Sequence, residues 1–169
     1  MSDRIPVRVL LERIRSYWPE AASPETDIVF SVIRFHELIR MRTDEALRDF
    51  GLTHAAFEVL VALRAQSTPR QLMPTELYRS VLLSSGGTTK ILIELERRGL
   101  IRRVPNPEDG RSKIVRLTIE GEKLVEQAMK IVMQHDREHF TQFDGKTDVA
   151  HLRDTLLLLM EKIESNPRI

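Results

Sequence analysis

Residues 84–118, SSGGTTKILIELERRGLIRRVPNPEDGRSKIVRLT, decide the fold. Ile91, Leu92, Leu95 and Leu100 recur at helical spacing, with Ser85, Thr88, Thr89 and Lys90 near the start of the pattern. The spacing predicts a helix that begins near Ser84 and stops at Gly99, a residue suited to a left-handed C-cap. Gly86 and Gly87 each weaken such a helix by roughly 1 kcal/mol relative to alanine, which marks a packing or close-approach position. Leu100 to Val104 and Lys113 to Thr118 are short β-prone runs, and the PNPEDGRS between them is dense in turn formers, so a hairpin follows the helix.

The charge of this stretch separates it from an ordinary α+β core. Between Arg79 and Thr118 nine cationic residues face four anionic ones, an excess of five, whereas the segments before and after carry net charges of −1 and −3. The formal total of +1 therefore conceals a local cationic cluster. Clustered basic charge on a helix and hairpin is the expected footprint of a phosphate-binding surface.

Working outward toward the N-terminus, Val7, Leu10, Leu11, Ile14 and Trp18 form a helical stripe that Pro19 stops. Residues 19–25 are a linker in which Ser23 and Pro24 make an N-cap and first-turn pair. The following helix, to about Phe50, carries Ile28, Val29, Val32, Ile33, Phe35, Leu38 and Ile39, more apolar residues than one face requires. Burial by a second subunit is the natural cause. Thr53 caps a third helix at 54–66, STPRQ is a loop, and a short helix from Pro74 precedes the basic helix after only a few residues. Two short helices joined this tightly form a helix-turn-helix. After the hairpin, Thr118 caps a long helix with Leu124, Val125, Ala128, Ile131 and Val132 facing inward, and residues 148–164 make a last, leucine-rich helix. The expected fold class is mainly α with a small β-hairpin wing, a winged helix-turn-helix domain plus a helical dimerisation region. Its parts are residues 1–50 (N-terminal helices, dimerisation), 51–118 (the winged domain) and 119–169 (C-terminal dimerisation helices).

A chain of 169 residues can bury a real core, and one compact subunit is expected. No apolar run approaches the roughly 20 residues that cross a bilayer, and the N-terminus lacks an apolar signal-peptide region, so a cytoplasmic location is expected. The absence of cysteine excludes disulfides, thiolate zinc sites and cysteine redox sensing. No paired carboxylates, nucleophile elbow or phosphate-cradling glycine loop stands out, so no catalytic residue, enzymatic activity or cofactor is expected. His135 and His139, four apart on one helix, have zinc-compatible spacing but lack an evident third ligand, and are read as a polar surface pair rather than a metal site.

The motifs TTKILIELERRGLIRR (88–103) and DGRSKIVRLTIEG (109–121), set in this order of helices, closely resemble the MarR (multiple antibiotic resistance regulator) family of winged helix-turn-helix regulators. The resemblance covers most of residues 26–165. It implies a homodimeric, ligand-responsive repressor that reads a pseudo-palindromic DNA operator; a winged-helix interaction module that binds no DNA is the alternative. The start of the recognition helix, with Ser85, Thr88, Thr89 and Lys90, would enter the major groove, and Arg97 and Lys113 extend the cationic face. The family pattern implies that Arg111 enters the minor groove with Asp109 orienting it, a place where a narrow, electronegative groove favours arginine. Arg102, Arg103 and Arg116 lie on the strands, available to phosphates or to an effector. The extra N-terminal helix with its tryptophan resembles the subgroup of urate-responsive repressors. That likeness nominates Trp18, Glu58 (where an aspartate is expected), Lys90 (in place of an arginine) and Arg103 for a small anionic aromatic effector. Glu58 reaches further and Lys90 lacks the bidentate fork, so the ligand is expected to differ from urate.

Overall fold

Local signals set most of the element boundaries. The computed structural model describes residues 4–81, 87–107, 109, 112–141 and 148–166, and of Thr88 the backbone. The elements are α1 (Val7–Tyr17), α2 (Pro24–Leu47), α3 (His54–Arg64), β1 (Gln71–Leu72), α4 (Pro74–Ser80), α5 (Thr88–Arg97), β2 (Ile101–Pro105), β3 (Lys113–Leu117), α6 (Ile119–Thr141) and α7 (Val149–Glu164), with single 3-10 turns at Pro19–Ala21 and Arg48–Phe50. Ser23 Oγ accepts from the Thr26 amide at 3.1 Å and Thr53 Oγ1 from the Ala56 amide at 3.2 Å, the two N-caps expected from sequence. Glu76 closes the start of α4 by accepting from the Met73 amide at 2.8 Å.

Two corners end in the same way. After α5, the Leu100 amide donates to the Leu95 carbonyl at 3.0 Å and the Gly99 amide to that of Glu96 at 2.9 Å, with Gly99 at φ +71°. After α2, the Leu52 amide donates to Leu47 at 3.1 Å and the Gly51 amide to Arg48 at 2.9 Å, with Gly51 at φ +59°. Both are Schellman closures, which satisfy helix-end carbonyls and turn the chain sharply through a left-handed residue that favours glycine.

The helix of the deciding stretch begins at Thr88, four residues later than the spacing predicts, with Gly87 at its N-cap. Glycine tolerates the cap position and penalises the helix interior, which accounts for the shift. The STPRQ segment, expected to be only a loop, delivers a third strand: β1 pairs antiparallel with β3, Gln71 opposite Arg116 and Leu72 opposite Val115. The sheet order is β1-β3-β2, and β2 and β3 form the expected hairpin with Arg102 opposite Arg116.

Apolar burial concentrates in one place. Leu60 and Leu63 of α3, Leu77 of α4, Leu95 of α5, Ile101 of β2, Val115 of β3 and Val125 of α6 are essentially inaccessible, and α2 joins them only through its last turn, at Ala46 and Leu47. Ile131, expected to face inward, is 38% exposed. Along the rest of α2, Ile28, Val29, Val32, Ile33, Phe35, Leu38 and Met41 stay exposed, and α7 buries none of its leucines within the single chain. The chain divides into two compact units, Met1–Val132 and Met133–Ile169. Within the first, Arg64 of α3 bonds Glu126 of α6 at 2.8 Å and Arg70 pairs with Glu122.

The start of α6 is seated on the end of α5. Thr118 Oγ1 accepts from the Gly121 amide at 3.0 Å and donates toward the Gly99 carbonyl at 2.7 Å, while the Thr118 amide donates to the Leu100 carbonyl at 3.1 Å. A Cβ at Gly121 would lie 2.0 Å from the Leu100 carbonyl oxygen and 2.9 Å from its carbon, a backbone clash with no flexible partner to yield. Gly121→Ala is therefore expected to destabilise the fold by about 3 kcal/mol, an overpacking cost. Gly99→Ala, with positive φ but no neighbour within 4 Å, should cost about 1 to 2 kcal/mol. Urea unfolding of the two variants checks the order, and a Gly121 variant as stable as the native chain would contradict the seating.

Candidate nucleic-acid interface

The cationic residues that look equivalent in sequence have different partners. Arg97 lies in a bidentate pair with Glu94, its Nε 2.9 Å from one carboxylate oxygen and its terminal nitrogen 2.7 Å from the other. The hydrogen bond from Arg97 holds the Glu94 carboxyl below the usual range, and the same contact raises Arg97. Glu96 accepts from the Arg103 amide at 3.1 Å and lies 3.4 Å from its guanidinium. Arg116 donates twice to the Gln71 side-chain oxygen, at 2.9 and 2.6 Å, and so braces β3 against β1. Arg98 turns inward and donates to the carbonyls of Gly51 at 2.6 Å and Phe50 at 3.0 Å.

Lys90, Arg102 and Lys113 remain exposed, without a carboxylate in ion-pair range among the described residues. Lys90 and the exposed Thr89 stand in the first turn of α5, and Arg102 and Lys113 stand on the two strands of the hairpin. With Arg79 of α4, likewise exposed and without a carboxylate in ion-pair range among the described residues, these groups can meet phosphates without first breaking an internal contact.

The hairpin tip is braced locally. The Asn106 amide donates to the Ser112 carbonyl at 3.2 Å, Asn106 Nδ2 donates to Ser112 Oγ at 3.0 Å, and Ser112 Oγ donates to the Asp109 carbonyl at 3.1 Å. Asn106 and Ser112 were not singled out from sequence, although both are turn formers whose short polar side chains bond nearby backbone. Asp109 is exposed at this tip. Arg111 and Ser85, both expected at the DNA, lie outside the described residues, as does the Thr88 side chain.

Of the four residues nominated for an effector, Trp18 closes α1 and is 64% exposed. Glu58 lies 3.1 Å from His54 Nε2 on the same helix, while its other oxygen is buried without a hydrogen-bond partner. Lys90 lines a cavity of about 280 Å³ with Gly51, Thr53, Ala56, Ile91, Glu94, Leu95 and Arg98; Trp18, Glu58 and Arg103 do not line it. His135 and His139 lie on α6, and among the described residues no group of three or more His, Cys, Asp or Glu stands together to hold a metal ion. Also among the described residues, no helix is long and apolar enough to cross a membrane.

The sequence profile of the MarR family matches residues 50–112, which run from the α2–α3 corner into the hairpin tip. Over 168 residues, 99% of this chain and 100% of the other, the chain is 25% identical to the HTH-type transcriptional regulator PecS of Dickeya dadantii strain 3937. CouR from Rhodococcus jostii RHA1, solved bound to p-coumaroyl-CoA, is 30% identical with a TM-score of 0.62, the match covering 77% of this chain and 89% of that one. A MarR family regulator from Streptomyces coelicolor, solved in complex with DNA, is 26% identical with a TM-score of 0.70, covering 84% of this chain and 87% of that one.

The partner pattern predicts unequal contributions to polyanion binding. On a mixed-sequence DNA duplex, Arg102→Ala and Lys113→Ala should each flatten the slope of log affinity against log salt by about 0.9. Arg97→Ala should change it less, because its charge is already opposed by Glu94. Fluorescence-anisotropy titrations at several salt concentrations read the slopes, and equal effects at all three positions would contradict the assignment.

Proposed function

The chain belongs to the MarR family of transcriptional regulators, and we propose that it is a homodimeric repressor that binds a pseudo-palindromic operator and releases it when a small anionic aromatic ligand binds. The observation that carries the reading is the set of unpaired cations on the first turn of α5 and on both hairpin strands, beside an exposed threonine. A helix N-terminus flanked by a basic hairpin matches a recognition helix in the major groove with a wing at the adjacent backbone. Thr88, Thr89 and Lys90 are assigned to the groove, Ser85, Arg97 and Lys113 to its flanks, and Arg111, oriented by Asp109, to the minor groove. Residues 51–118 form the reading domain.

Residues 1–50 and 119–169 supply the dimer. Exposed apolar side chains along α2 and, separately, along α7 support this, since an extended apolar helix face marks an association site. A two-fold dimer places two recognition helices on half-sites about one helical turn apart. Light scattering of the protein with a duplex enriched from a randomised library should give two chains per duplex, and a dimer mass for the protein alone. Arg111→Ala should lower affinity for that duplex about tenfold, the low end of one lost specific contact, without dissociating the dimer. A monomer mass, or failure to enrich any duplex, would favour the winged-helix interaction module instead.

The effector reading draws support from the ligand-bound CouR structure and from the buried, unpartnered oxygen of Glu58, which suits a donor-bearing ligand. Trp18, Glu58, Lys90 and Arg103 are assigned to it. Arg103 must then leave Glu96, and that exchange links ligand binding to the end of the recognition helix. Trp18 is the chain's only tryptophan, so its fluorescence reports the site directly. In titrations with urate, salicylate and p-coumarate, at least one should quench it, with the same ligand reducing DNA affinity. Unchanged fluorescence and unchanged DNA binding with all three would remove the assignment.

A further inference from the structure

Arg97 and Arg98 are adjacent, identical in type and opposite in fate. The Arg97 side chain is 71% exposed and pairs on its own helix, whereas Arg98 reaches back 48 and 47 positions to the carbonyls of Phe50 and Gly51. Those carbonyls sit where the α2 arm ends, at the 3-10 turn Arg48–Phe50 and its left-handed glycine. Carbonyls at a helix end lack intrahelical donors and carry the negative end of the helix dipole, so a guanidinium is well matched to them. Ionised donors make shorter and stronger hydrogen bonds than neutral ones, and the 2.6 Å contact to Gly51 is in keeping with that.

We propose that Arg98 is a positioning residue for DNA recognition: seated on the last carbonyls of the α2 arm, it fixes the orientation of α5 relative to the dimerisation helix without itself touching DNA. The inference rests on the DNA-binding reading above. Apolar packing of Leu92 and Leu95 holds α5 onto the core and the Thr118 contacts hold its end onto α6, but neither ties it to the α2 arm. An open groove of about 280 Å³ runs along α5 beside the start of α3, with Arg98 among its lining residues. The two hydrogen bonds of Arg98 are, among the described residues, the direct side-chain tie between α5 and the end of that arm. They also join the reading helix to the arm that a second subunit would hold, so the mutual pose of two recognition helices depends on them. A planar fork meets two neighbouring carbonyls with donors held apart in one fixed plane; a lysine ammonium gathers its three donors at one point on a flexible stem and does not reproduce that spacing.

The test compares full-length Arg98→Lys and Arg98→Ala with the native chain on two probes, the duplex enriched by the native chain and a mixed-sequence duplex of equal length. The expected result is about a tenfold loss on the enriched duplex for both variants, with lysine giving no rescue. The mixed-sequence affinity stays within about twofold, and the slope of log affinity against log salt is unchanged on both duplexes. A slope flattened by about 0.9 with equal losses on both would make Arg98 a phosphate contact and overturn the proposal. Full affinity in the lysine variant would overturn it too, as would a lowered melting temperature with native affinity per folded dimer. Should the alanine variant not fold, the lysine variant alone decides. Failure of the native chain to enrich any duplex is a different result: it removes the DNA-binding reading, and the proposal with it.

Discussion

The carbonyl of Leu100 is the point on which the winged domain depends. It follows the left-handed stop at Gly99, it receives the Thr118 amide at 3.1 Å, and it lies where any side chain at Gly121 would be. Two stretches 18 to 19 positions apart meet there: the end of α5, and the run that leads from the closing strand of the hairpin into the first turn of α6. A chain that met this requirement but lost the Schellman turn would send β2 in another direction, and the β2–β3 register from Ile101–Leu117 to Pro105–Lys113 would have no anchor. Helix, wing and long helix are thus one mechanical unit.

Within that unit, charge is partitioned as well as concentrated. The basic excess between residues 79 and 118 is a property of the sequence, but its use is decided by partners. Arg116 braces the third strand through Gln71, Arg98 ties α5 to the α2–α3 corner, Arg97 and Arg103 face carboxylates, and among the described residues Arg79, Lys90, Arg102 and Lys113 stay free of carboxylates. A surface built this way offers phosphates a few unobstructed cations, while the paired ones hold the scaffold that aims them. Membership of the MarR family gives that arrangement its context, and the exposed apolar surface of α2 and α7 gives the reason for a second subunit.

Local chemistry was legible in the sequence. Ser23 with Pro24, Thr53, Gly99 and Thr118 act within a few residues of themselves, and each stands where its residue type predicts. The surplus of apolar residues on α2 was equally readable, since a helix buried on one face has no need of it. β1 was not, because two residues carry no periodicity. α5 starts at Thr88 because Gly87 takes the N-cap, where glycine costs little, rather than the helix interior, a preference that spacing alone does not convey. The partners of Arg98 and Arg116 lie 48 and 45 positions away at most, so no local pattern distinguishes these arginines from their free neighbours. Charge counting located the interface; only the fold divides it into contacts and braces.

The central claim is that the first turn of α5 and the hairpin together form one DNA-reading face, presented twice by a two-fold dimer. Hydroxyl-radical footprinting on the duplex enriched by the native chain tests this directly. Two symmetric protected windows, spaced by about one helical turn with flanking minor-groove protection from the wings, are the predicted result. A single asymmetric window, or uniform cleavage at protein concentrations that retard the duplex fully, would contradict it.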